Sequence, residues 1–253
     1  MGKIIAVVNQ KGGVGKTTST VNLAAALGQN GKRVLLIDLD PQGNATSGVG
    51  QDKRQGKTVY DLLIGQASPQ EAVVKTEFKN LSVLKAGIGL AGAEIELIEL
   101  DRRENRLKAA LAPLRAQFDF LLIDCPPALG LLTLNALCAA DTLLVPIQCE
   151  YYALEGLAQL MDTVRRVRRT YNPLLDIEGV LLTMYDSRLN LTRQVVSEVK
   201  KYFPRKVYGT PIPRSVRLAE APGFGKPVCY YDGSSRGAKA YDAVAKEIIK
   251  QNR

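Results

Sequence analysis

Apolar residues fall along this chain in short blocks that end at carboxylates or glycines, separated by stretches of helical spacing. Ile4 to Val8 is one such block, and it stops at a loop containing Gly12, Gly13 and Gly15. The run VNLAAALGQNG that follows predicts a helix ending by Gly31. Arg33 to Asp38, Leu81 to Lys85, Phe118 to Cys125, Thr142 to Gln148 and Ile177 to Met184 read as further buried strands. Between them, Val59 to Leu63 predicts a helical turn, Pro69 to Lys75 a helix, and Ala93 to Ala116 a helical stretch bent or ended by Pro113. Glu150-Tyr151-Tyr152 opens a helix with an inward stripe of Leu157, Leu160, Met161, Val164 and Val167. Helices are also predicted over Thr192 to Tyr202 and Gly237 to Gln251, the last burying Tyr241, Val244, Ala245 and Ile248. Strands alternating with helices predict an α/β fold with an open, mostly parallel twisted sheet flanked by helices. No linker or repeat interrupts it, so residues 1–253 are expected to form a single domain.

The loop after the first strand carries the most specific chemistry. A polyphosphate needs several N–H donors converging on its oxygens, which requires a tightly curled backbone that glycine tolerates. The helix beginning at Lys16 aims its positive end at the same anion. Gly12, Gly13, Val14, Gly15, Lys16, Thr17 and Thr18 therefore read as a phosphate-binding loop. In it Lys16 reaches the β- and γ-phosphates, Thr17 offers its hydroxyl to Mg²⁺, and Thr18 is placed for the α-phosphate. The general pattern expects a glycine five residues before Gly15; Gln10 stands there, and Lys11 follows it.

Two aspartate-ended strands complete the nucleotide machinery. Asp124 closes Phe118 to Cys125 about a hundred residues after the loop, where a Mg²⁺-holding carboxylate is expected. Asp38 and Asp40 end the second strand on the edge that also carries the loop, and so point into the ligand crevice of such a sheet; as turn-capping residues beside Pro41 and Gly43 they would need no ligand.

Composition narrows the field. With 46% apolar and 23% charged residues the chain describes a soluble globular protein, and no apolar run approaches the ~20 residues of a membrane span. The first residues enter the first strand directly, so no secretory signal is expected. The absence of histidine excludes imidazole catalysis and histidine metal sites. Cys125, Cys138, Cys149 and Cys229 form no C-x-x-C pair and read as core residues in a reducing compartment. Residues 1–150 hold 16 Lys and Arg against 15 Asp and Glu, whereas residues 151–253 hold 18 against 10. That asymmetry points to a polyanion-facing surface in the C-terminal half, although a solvated face has the same look.

Lys11-Gly12-Gly13-Val14-Gly15-Lys16-Thr17 resembles the deviant Walker A motif of the ParA/MinD ATPases. Asp38-Leu39-Asp40-Pro41-Gln42-Gly43-Asn44 resembles the switch I segment of ParA/Soj proteins, and the run from Asp124 through Pro126, Pro127 and Gly130 resembles their switch II. The resemblance spans essentially the whole chain. It implies a slow Mg²⁺-dependent ATPase of the P-loop fold in which Lys11 crosses a nucleotide-sandwich homodimer to the partner's ATP. Catalytic residues would be Lys11, Lys16 and Asp40, the last orienting water; Thr17, Asp38 and Asp124 would lie around Mg²⁺. Met184, Pro211 and Pro213 would contact the adenine base. The dimer would bind double-stranded DNA without sequence preference through Arg188, Lys200, Lys201, Arg214, Arg217, Lys226 and Lys246. A ParB-like centromere-binding protein would stimulate hydrolysis, and the protein would be cytoplasmic and nucleoid-associated, serving chromosome or plasmid partition. MinD-like relatives instead end in a membrane-binding amphipathic helix, and the tail here has only Ile248 and Ile249 as large apolar groups.

Overall fold

The computed structural model describes residues 1–150 and 153–252. Seven strands form one sheet: β1 (Lys3–Val7), β2 (Val34–Asp38), β3 (Val73–Lys75), β4 (Leu81–Leu84), β5 (Phe120–Asp124), β6 (Thr142–Gln148) and β7 (Asp176–Thr183). Their order is β3-β4-β2-β5-β1-β6-β7, and every pairing is parallel except β3 with β4. Helices are α1 (Lys16–Gln29), α2 (Asn44–Gly48), α3 (Val59–Ile64), α4 (Pro69–Ala72), α5 (Ala93–Ile98), α6 (Arg106–Leu111), α7 (Leu131–Ala139), α8 (Ala153–Thr170), α9 (Asn190–Tyr202), α10 (Val216–Glu220), α11 (Val228–Tyr231) and α12 (Arg236–Gln251).

The alternation of strand residues builds two cores. Ile4, Ala6, Leu35, Ile37, Leu121 and Ile123 face one layer, with Leu132 and Ala136 of α7 and Leu160 and Val164 of α8. Ile5, Val7, Leu36, Leu122 and Leu144 face the other, with Leu23 and Leu27 of α1 and Tyr241, Val244 and Ile248 of α12. Strands buried on both faces explain why the sequence showed continuous apolar blocks rather than alternation. α1 leaves β1 toward one face and α7 follows β5 toward the other, so a crevice opens at the C-terminal ends of these adjacent strands. The register Asp38↔Asp124 sets both aspartates level at that crevice.

Two expectations are corrected. Pro69 to Lys75 is not all helix: α4 ends at Ala72, and β-branched Val73 and Val74 pair with Leu84 and Val83 as the antiparallel edge strand. Ala93 to Ala116 is broken at Arg102, whose φ of 51° no helix accommodates, and Pro113 lies in a short 3₁₀ turn over Ala112–Leu114. The opening of the helix at Tyr151 and Tyr152 lies outside the described residues, and its inward stripe is otherwise as expected. At the opposite edge, Lys206 to Tyr208 runs along β7, Val180 N donating to Lys206 O (2.8 Å) and Tyr208 N to Val180 O (3.0 Å).

Candidate functional site: a phosphate-binding crevice

The loop is braced from both sides before any ligand arrives. Buried Asn9 donates from Nδ2 to Pro146 O (2.7 Å) and accepts at Oδ1 from Lys11 N (3.0 Å). Thr183, at the end of β7, donates its hydroxyl to Val14 O (2.8 Å). Gly13 and Gly15 take φ of +75° and +88°, values an L side chain resists. Gly15 is the N-cap of α1 and brings no side-chain acceptor, so the first N–H groups of the helix are left to an anion. A Cβ at Gly12 or Gly13 would meet nothing within 4 Å, which leaves an open cradle above the loop.

The two lysines of the loop differ in setting. Lys16 is buried, and its ammonium donates to Lys11 O (3.1 Å). Burial pulls its pKa below the ordinary lysine range, against the opposing pull of Asp124, Cys125 and Asp40. Lys11 is half-exposed and pairs with Glu150 at 2.8 Å.

Asp124 is fully buried. Desolvation pushes its carboxyl well above the usual carboxylate range and neighbouring Asp38 adds to this, opposed by the Thr17 and Thr20 hydroxyls. Oδ1 accepts from Thr20 Oγ1 (3.0 Å), but Oδ2 is buried with no hydrogen-bond partner among the described residues. An orphaned carboxylate oxygen beside a threonine hydroxyl fits Mg²⁺, which Thr17 and Asp124 would hold. Asp38 is differently employed: Oδ2 accepts from Thr46 N (2.7 Å) and Thr46 Oγ1 (2.6 Å), and Oδ1 from Asp40 N (3.3 Å). It thus anchors α2 and the segment before it. Burial raises its pKa as well. Asp40 is 8% exposed and uses Oδ1 to accept from Gln42 N (2.9 Å); Oδ2 has no protein donor among the described residues.

An Asp124→Asn variant is expected to be more stable than the parent in cation-free buffer. Between the ordinary carboxylate range and its raised folded value, Asp124 holds a proton that the unfolded chain has released, so stability falls as pH rises through neutrality. Asparagine removes Asp124's share of that slope, leaving the share of Asp38, and should add about 1–3 kcal/mol near neutral pH. Thermal melts with and without Mg²⁺ across pH 5 to 8 check this; a lower melting point for the variant in cation-free buffer contradicts it.

Beside the loop lies a cleft of about 270 Å³ lined by Gly15, Thr18, Thr183, Met184, Ile212, Pro213, Leu218 and Tyr241, among others. Ile212 N donates to Leu182 O (2.8 Å) and Tyr185 N to Ile212 O (3.0 Å), which draws the 211–213 segment alongside β7. Met184 takes a φ of +49° at its mouth. Of the three residues expected to contact the base, Met184 and Pro213 line this cleft and Pro211 does not; Ile212 does, and so does Thr18, which was expected at the α-phosphate. Ile212, Thr183, Leu218 and Tyr241 carried no motif, and only the contact of β7 with the loop reveals them. Asn9 could have been found, as a short amide between an apolar strand and a tight loop.

The basic residues divide into groups. Tyr185 bridges to Pro213, which brings Arg188 and Arg214 to the same rim, where both depress the Asp186 carboxyl to about 2, chiefly through the Arg188 hydrogen bonds. Arg217 of α10 pairs with Glu220 on the same helix (2.9 Å) and with Asp232 at the end of α11 (3.4 Å), and Lys226 is exposed after the turn Ala221–Phe224. Lys200 and Lys201 lie about 15 Å along α9 from its start beside Arg188. Lys246 pairs with Asp242 (2.7 Å), which accepts from Asn30 at the C-terminal end of α1, about 21 Å from the loop. Lys246 is therefore separated from the rim.

A braced anion cradle at a helix N-terminus, a buried lysine and an orphaned carboxylate oxygen beside a threonine make this a P-loop nucleotide-binding fold. The family profile described as "AAA domain" matches residues 2–177. The chain is 59% identical to the "Sporulation initiation inhibitor protein Soj" of Bacillus subtilis (strain 168), over 98% of each chain. It is 53% identical to the "Chromosome partitioning protein ParA" of Myxococcus xanthus (strain DK1622), covering 100% of this chain and 89% of that one. Among solved structures, one named cobyrinic acid a,c-diamide synthase from Mycobacterium smegmatis, with bound ADP and magnesium, superposes with a TM-score of 0.87 at 41% identity, covering 99% and 95%. This chain belongs to the Soj/ParA family of chromosome-partitioning ATPases. Its activity is Mg²⁺-dependent hydrolysis of ATP.

Proposed function

We propose that this chain is an ATP-timed clamp that drives chromosome or plasmid partition. The carrying observation is the pair of lysines on one loop: Lys16 is buried beneath the cradle, while the ammonium of Lys11 is half-exposed and, among the described residues, held by a surface ion pair with Glu150 alone. Surface pairs of this kind contribute about 1 kcal/mol or less, so Lys11 can leave Glu150 for the phosphates of a facing copy. Two copies thereby close over ATP. Bound between Thr17 and Asp124, Mg²⁺ would offset the charge of the β- and γ-phosphates. Asp40, with a free carboxylate oxygen, orients the attacking water; with no histidine in the chain, unstimulated turnover is slow.

Closure sets the rims carrying Arg188 and Arg214, with Arg217 and Lys226, side by side as one surface for the phosphates of double-stranded DNA. A ParB-type partner accelerates hydrolysis and so releases the clamp, and the protein is nucleoid-associated in the cytoplasm. The relatives named for partition support this reading over a membrane-bound regulator. So does the final helix, whose Ile248 is buried in the core; among the described residues no helix is long and apolar enough to cross a membrane.

The test is sizing and DNA retention with ATP, ADP or no nucleotide, on the parent and on Lys11→Ala. The parent should dimerise and retain DNA with ATP alone, with retention falling steeply as salt rises, each lost phosphate contact lowering the log–log slope by about 0.9. Lys11→Ala should bind ATP normally yet stay monomeric. A parent that remains monomeric in ATP refutes the clamp.

A further inference from the structure

We propose that Glu94 is a positioning residue for ATP hydrolysis, a latch that holds the Pro126–Gly130 loop from its far end. This rests on the likeness of that loop to switch II, taken here as the segment that answers the terminal phosphate. The loop leaves the crevice at Asp124 and ends where α7 begins. α7 lacks its own N-terminal cap: Gly130 is the N-cap residue, and the first turn contains no acidic side chain. The missing acceptor comes from α5, where Glu94 Oε1 accepts from Leu132 N (3.1 Å).

Gly130 makes room for this. A Cβ there would stand 2.1 Å from Glu94 Oε1 and 2.8 Å from its Cδ. The backbone of Gly130, at φ −81° and ψ −167°, is open to any residue, so what a side chain there would disturb is the placement of the carboxylate and not the dihedral. The first turn of α7 in turn grips the loop, Thr133 Oγ1 donating to Ala128 O (2.6 Å) and Leu134 N to Gly130 O (3.0 Å). The chain of contacts runs from Glu94 to the α7 N-terminus and from there to the loop that begins at Asp124. Ala93 and Leu97 anchor α5 in the core, so the carboxylate is presented from a fixed base.

A side chain at position 130 would push the carboxylate aside, so adding a methyl there and removing the carboxylate should be one lesion. The experiment compares the parent with Glu94→Ala, Gly130→Ala, the double variant and Glu94→Gln. The readouts are kcat and KM for ATP, and hydrogen exchange at the Leu132 amide. Each alanine variant should lower kcat about fivefold, as expected for one lost hydrogen bond, with KM within about twofold. The double variant should be no slower than either single one, and the Leu132 amide should exchange faster in all three. Glu94→Gln, whose amide oxygen still accepts, should keep at least about half of kcat. Multiplied losses in the double variant, about 25-fold, overturn the proposal. So does a glutamine variant as slow as the alanine one. Unchanged exchange at Leu132 overturns the latch itself. Faster exchange with unchanged kcat leaves the latch standing but refutes the reading of the loop, and with it the catalytic part of the proposal.

Discussion

Replacing Lys16 with alanine is expected to weaken ATP binding by about 30- to 5,000-fold while leaving the fold intact. In the folded chain this ammonium is buried, its pKa is lowered by desolvation, and among the described residues its one hydrogen bond is to the carbonyl of Lys11. A desolvated cation with so few partners adds little to folding; it is held ready for an anion. Removing it leaves the phosphates without their closest buried charge, a loss of about 2–5 kcal/mol on the scale of truncated buried charge pairs, and alanine also forfeits the phosphate contact geometry. Titration with a fluorescent ATP analogue should show the loss, and the melting point without nucleotide should move by only a few degrees. Affinity within threefold of the parent would remove Lys16 from the phosphate site.

Asp40→Ala should have the complementary phenotype, with ATP bound and hydrolysis lost. Asp40 and Asp38 are two residues apart, but their environments divide the work. Both oxygens of Asp38 are occupied by donors from Thr46 and Asp40, which fixes α2. Asp40 gives one oxygen to Gln42 N and keeps the other. Losing that turn hydrogen bond costs about 1 kcal/mol of stability, whereas losing the group that aligns water should slow turnover about 10²- to 10⁴-fold. Under the clamp reading the variant accumulates as a long-lived ATP dimer. Phosphate release in single-turnover conditions, beside sizing of the same samples, decides the matter; a variant hydrolysing at the parental rate contradicts the role.

Much of this was legible because parallel-sheet strands are buried on both faces and leave unbroken apolar blocks, as Ile4 to Val8 and Phe118 to Cys125 do. The loop was legible because anion cradling restricts both residue type and spacing. Residues that act by reaching across the fold left no such trace. Thr183 meets Val14 from 169 positions away, and Ile212 lines the cleft beside the loop only because its backbone follows β7. Val73 and Val74 fell in a helical-looking run until pairing with β4 prevailed over local propensity. Charge in the C-terminal half was visible as a sum, but its geography was not: Arg188 and Arg214 meet through a bridge between Tyr185 and Pro213, and Lys246 turns away to Asp242.

The margins of the sheet bear on how copies of the chain can gather. One flank finishes in a strand of three residues with Lys75 exposed at its tip, and the other is overlaid by Lys206 to Tyr208. Neither offers a long run of vacant amides to a neighbour, so growth into ribbons or fibrils by lateral strand addition is disfavoured. Side-by-side strand pairing is thereby closed off as a default route of assembly, so the clamp proposed above would not have to compete with it.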